Sequence, residues 1–181
     1  KGKMMKQLMV LRVVNDMKYR YIILIAIVNY ILASTILQLF RINGALPNLV
    51  IVISIVLASL SSSKSAYLFA FVSGAMQDVF LGRMLGVNFI IYGLIVYLVL
   101  LLIEVMFKGN FITPIFLMAI GTLIYHLFFY LIMFFVQSTI PFSLMVTKIM
   151  TEVLLNTIIG YFVYAIVFKR VHGYKLGDFN A

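Results

Sequence analysis

This chain carries too little charge to cover a water-facing surface. Six apolar runs, separated by short polar interruptions, occupy most of its 181 residues; 65% of the residues are hydrophobic and 10% charged. A soluble domain of this size needs far more charge at its surface. Its mean hydropathy is +1.16. At roughly 20 residues per transmembrane helix, the apolar content predicts an all-α integral membrane protein, a six-transmembrane-helix bundle with little else. The expected spans are 21–40, 47–61, 65–80, 87–107, 114–136 and 142–168. Spans two and three are short for a bilayer, which neighbouring helices can compensate by burying them. Residues 1–20 mix Lys and Arg with Met, Leu and Val and read as a basic amphipathic segment on the inner face. Residues 169–181 form a cytoplasmic tail. The chain begins with Lys1, and Met4 or Met5 is a candidate native start.

Charge sets the expected orientation. The net charge is +9. With the N-terminus inside, eleven of the 14 lysines and arginines fall on inner segments and only Arg41 and Arg83 on outer loops, with Lys148 inside span six. Positive residues collect on the cytoplasmic side of membrane proteins, so both termini are expected inside. No basic run is interleaved with aromatics, which argues against nucleic acid as a partner. There is no cysteine, so disulfides, thiolate metal sites and cysteine nucleophiles are excluded. No phosphate loop, HExxH or GxSxG is present, and no cofactor or catalytic residue is expected.

One stretch stands out within this pattern. In AYLFAFVSGAMQDVFLGRMLGVN (66–88), Ala66, Ala70, Gly74, Asp78 and Gly82 fall four apart. On a helix they share one face, and a small-residue stripe lets another helix approach closely. Asp78 ends the stripe at the outer end of span three, level with Arg83, Gly86 and Asn88. An ionisable residue inside an apolar span marks a functional candidate. The stripe is expected to pack within the chain, with the Asp78–Asn88 end open to partners.

His126, Lys148 and Glu152 form a second candidate, an intramembrane polar cluster in the outer half. At 1.5 Å per residue, Lys148 lies about 10 Å and Glu152 about 16 Å below Pro141. Lys148 and Glu152 are four apart and can pair on one helical face. Asp78 can pair with Lys148 or Arg83. These charges either lock helix packing or line an outward-facing polar site. His126 has no second His, Cys or suitably spaced carboxylate beside it, so it reads as an interhelical hydrogen bonder and no metal site is expected. Glu104 can pair with Lys108 at the inner end of span four.

The segment AFVSGAMQDVFLGRMLGVNFIIYGLIVYL resembles the signature of the MreD family, the rod-shape-determining membrane proteins of bacteria. The resemblance lies in Phe71, Gly74, Asp78, Gly82, Gly86 and Asn88. A Pro-led second span (Pro47-Asn48-Leu49) and Pro114 opening span five fit the same pattern. The resemblance implies a non-enzymatic scaffold of the peptidoglycan elongation machinery in the bacterial plasma membrane. It implies MreC as direct partner, and MreB and the RodA–transpeptidase pair as indirect ones. It also implies a fold similar to the substrate-binding subunits of energy-coupling-factor vitamin transporters, which is the alternative function. Those subunits carry an Ala-xxx-Ala motif on the first span. Here Ala26 is followed at the fourth position by Tyr30, and Ala33 by Leu37.

Overall fold

The computed structural model describes residues 18–81, 84–105, 112–136 and 142–172. Among them it is helical, without a strand. The six α-helices are α1 (Tyr19–Ser34), α2 (Leu49–Leu60), α3 (Ser63–Phe80), α4 (Val87–Val105), α5 (Ile112–Phe135) and α6 (Phe142–His172). Helices α5 and α6 contain stretches long and apolar enough to cross a membrane, Ile112–Phe135 and Met145–Arg170.

The first apolar run does not stay α-helical to residue 40. Ser34 and Thr35 hydroxyls donate to the carbonyls of Tyr30 and Ile31, competing with the backbone ladder. Thr35 then leaves helical geometry, at φ −117° and ψ −84°, and Ile36–Phe40 forms a 3₁₀ turn. Asn43 and Gly44 take positive φ in the following turn, as Asn-Gly favours. Asn48 caps α2, its side chain accepting from the N–H groups of Val50 and Ile51. Pro47 therefore precedes the cap rather than opening the helix. At the other end of α2, Ser62 caps α3 by accepting from Ser65 N–H.

Helix α2 is the centre of the bundle. It touches every other helix, and eight of its 12 residues are buried. At 1.5 Å per residue it is only about 18 Å long. Its short length is explained by position: surrounded by neighbours, it has no need to reach either surface.

The outer faces of α5 and α6 are apolar, while several polar residues are buried within the largely apolar core. Phe116, Leu123, Leu127, Leu131 and Phe134 form an exposed stripe on α5, and Met150, Leu154, Ile158, Phe162 and Ile166 one on α6. Meanwhile Asn29, Ser73, Asp78, Thr122, His126, Glu152 and Asn156 are buried. In water, burying polar groups beneath exposed leucine and phenylalanine would be unfavourable.

The small-residue stripe lies inside the molecule. Ala66 and Ala70 are fully buried, and Gly74 lies against the backbone of α4. A Cβ on Gly74 would sit 2.7 Å from Phe89 Cα and 2.9 Å from its nitrogen. Backbone cannot move aside as a side chain can, so the two helices would have to separate. Gly121 differs, because an added Cβ would meet the flexible end of Ile55 at 3.1 Å. We expect Gly74→Ala to destabilise the fold by about 1–3 kcal/mol, the usual cost of overpacking, and Gly121→Ala by less. Thermal unfolding in detergent checks this, and equal midpoints for the two variants would count against the close α3–α4 approach.

Candidate functional site

The turn entering α4 explains why Asp78 is where it is. Gly86 occupies the N-cap position at φ +92°, a conformation that suits glycine, and its carbonyl accepts the first helical bond from Ile90. A glycine cap has no side chain to satisfy the orphan N–H groups that follow. Asp78 supplies the missing acceptor from α3. Its Oδ1 accepts from the backbone N–H of Asn88 at 3.0 Å and from Asn88 Nδ2 at 2.9 Å, and its Oδ2 accepts from Phe89 N–H at 3.0 Å. These are the second and third N–H groups of α4, those a cap ordinarily serves.

Magnitudes decide the balance. Asp78 lies in the last turn of its own helix, where the dipole disfavours an anion by about 0.3–1 kcal/mol. Each charge-assisted hydrogen bond is worth about 1.5–3 kcal/mol, and there are three. The expected pairing of Asp78 with Lys148 or Arg83 is therefore corrected for Lys148: both carboxylate oxygens are taken by α4. Arg83 and Gly82 lie outside the described residues. Asp78 is also only 3% exposed, so the expectation that it is open to partners is corrected too, whereas Asn88 beside it is half-buried.

From Asn88 a polar network crosses the bundle. Tyr125 OH donates to Asn88 Oδ1 at 2.9 Å, tying α5 to the cap. The Tyr125 ring stacks on Tyr92 of α4 with centroids 5.4 Å apart. Tyr92 OH donates to Gln77 Oε1 at 2.8 Å and accepts from Asn48 Nδ2 at 3.0 Å. The N–H of Asn48 donates to Asn156 Oδ1 at 2.7 Å, and Asn156 Nδ2 donates to Thr122 Oγ1 at 2.9 Å. All the helices except α1 are joined by these contacts, at the N-termini of α2 and α4, the last turn of α3 and the middle of α5 and α6.

His126 and Glu152 make a separate bridge between α5 and α6. Their Nε2 and Oε2 are 3.0 Å apart, and both side chains are buried. The expected Lys148–Glu152 pair is corrected by this: Glu152 faces His126 across the interface rather than Lys148 along its own helix. Lys148 is half-buried and has no hydrogen-bond or ion-pair partner among the described residues. The side chain of Glu104 and all of Lys108 lie outside the described residues. No group of three His, Cys, Asp or Glu suited to a metal occurs among the described residues.

A pocket of about 340 Å³ opens at the same end. Its walls include Asn29 and Ala33 of α1, Arg41, Gly44 and Leu46–Asn48 of the connecting segment, Tyr125, His126 and Tyr130 of α5, and Lys148 and Glu152 of α6. Two of the three members of the expected polar cluster thus pair with each other, and all three line one cavity. The Asp78 clamp stands beside it on α3. Sequence reasoning missed Asn48, Gln77, Tyr92, Thr122, Tyr125 and Asn156. The available signal was that each is polar or hydroxyl-bearing within or beside an apolar run, where an unsatisfied group is costly.

Removing the Asp78 carboxylate leaves two partly buried N–H groups without an acceptor. Asp78→Ala should destabilise the protein by about 2–3 kcal/mol. Asp78→Asn should cost less, because its amide oxygen still accepts. Comparison of the unfolding midpoints of the two variants with the parent checks this, and an unchanged midpoint for Asp78→Ala would refute the clamp.

A search of curated proteins and one of solved structures found no match. The family model for rod shape-determining protein MreD matches residues 15–172, which covers all six helices. The chain belongs to the MreD family of rod-shape-determining membrane proteins.

Proposed function

We propose that this protein is a multi-pass scaffold of the bacterial plasma membrane, with both termini inside, which binds MreC and supports lateral peptidoglycan synthesis. Its family assigns it to rod-shape determination. The observation that carries the rest is the apolar surface of the bundle over buried, hydrogen-bonded polar residues. An apolar exterior over a hydrogen-bonded polar interior is what a lipid solvent selects. In the proposed orientation, the end holding the Asp78 clamp and the pocket faces outward.

The internal packing of the stripe redirects the search for the partner surface. Gly74 is occupied by α4, so MreC has to meet other residues. Leu39 and Phe40, 83% and 63% exposed beside the pocket, are placed to receive the membrane-proximal part of an external domain. A transporter substrate-binding subunit remains the second reading, favoured by the pocket. The Tyr30 and Leu37 departures on the first span weigh against it.

Two experiments test this proposal. The chain has no cysteine, so Gln38→Cys and Lys64→Cys each introduce a single thiol, at opposite ends of the bundle. A membrane-impermeant maleimide applied to intact cells should label the first and spare the second; the reverse pattern would overturn the orientation. Separately, MreC should co-purify with the parent chain and be lost at least tenfold with the double variant Leu39→Glu, Phe40→Glu at an unchanged unfolding midpoint. Full retention of MreC would remove this surface as the docking site.

A further inference from the structure

The pocket contains groups that the helix network leaves unused. Lys148 is the clearest. A lysine within an apolar helix is costly unless it is paired or hydrated, yet Lys148 lines the cavity without a partner among the described residues. Asn29 is the independent observation. It is 3% exposed, lines the same cavity from α1, and its Oδ1 has no hydrogen-bond partner among the described residues. A buried amide oxygen left unmatched is unfavourable, so it asks for a donor. Tyr130 adds a hydroxyl without a hydrogen-bond partner among the described residues. Arg41 stands at the rim, bonded to Gln38 at 2.7 Å with further N–H donors remaining.

These groups narrow the ligand. Lys148 and Arg41 together outweigh the carboxylate of Glu152, so the formal balance favours an anion. The unmatched Asn29 Oδ1 and the Glu152 carboxylate are acceptors and favour an anion that also bears hydrogen-bond donors. The cavity, about 340 Å³, sits at the low end of ligand-pocket sizes and suits a headgroup rather than a whole lipid. We propose that the pocket binds a hydroxyl-bearing phosphate headgroup, of the glycerophosphate kind, with its phosphate on Lys148 and Arg41 and its hydroxyls toward Asn29 and Glu152. That the ligand comes from the outer leaflet rests on the membrane orientation proposed above; the pocket chemistry does not.

The test uses the full chain purified in detergent, where orientation plays no part. Short-chain phosphatidylglycerol, phosphatidylcholine with the same chains, and free glycerol phosphate are titrated by native mass spectrometry. Phosphatidylglycerol should bind at least tenfold tighter than phosphatidylcholine. Lys148→Met should abolish that preference, and Lys148→Arg should restore most of it. Arg41→Met, at the exposed rim, provides a second variant should Lys148→Met fold poorly, and it should weaken binding several-fold. Glycerol phosphate binding that depends on Lys148 would also support the site and identify the free compound as a ligand. Binding only when acyl chains are attached would support it with lipid as the source. Equal binding of the two lipids, or a preference unchanged in both Lys148→Met and Arg41→Met, would overturn the proposal.

Discussion

The bundle depends on one carboxylate reaching out of its own helix. Gly86 gives α4 a tight entry turn but no capping side chain, and Asp78 makes good that deficit from α3. The arrangement works only because Gly74, one turn earlier, lets the two backbones come close. The glycine and the aspartate are thus two parts of one device. One removes the steric barrier between the helices, and the other satisfies the donors that their approach would leave buried.

The rest of the polar interior extends from that clamp. Asn88 passes the connection to Tyr125; beside it, Tyr92 and Asn48 link the start of α2 to α3 and α4, and Asn156 and Thr122 link it to α6 and α5. Where solvent is apolar on the outside, hydrophobic burial distinguishes poorly between one helix arrangement and another. Directional hydrogen bonds can do so, since each unsatisfied group in a dry interior is costly. This explains why the network gathers at the N-termini of α2 and α4, whose N–H groups need acceptors, and draws its other partners from the middle of α5 and α6. The same end contains the pocket, in which Lys148 and Asn29 have no such match.

Much of the fold was legible because its signals are local. The apolar runs, the Asn-Gly turn at 43–44 and the four-residue spacing from Ala66 to Asp78 need no knowledge of neighbours. The pairings were less legible. Lys148 and Glu152 have ideal helical spacing, yet Glu152 bonds His126, because α5 presents that ring 3.0 Å away. Asp78 looked like an ion-pair partner, and the acceptor-hungry helix end 10 residues later was the stronger claim. In both cases a short-range rule named a plausible partner, and a residue on another helix took the place.

The amino-acid sequence by itself determined the apolar composition, the helical periodicity, the small-residue face and the family, since these depend on composition and on spacing along one chain. Only the tertiary structure decided that α2 is central, that the stripe is spent on α4, and that the buried acids face a helix terminus and a histidine. Those outcomes are set by which helix ends and side chains meet across space, and hydrogen-bond geometry selects among them at distances that sequence separation does not encode.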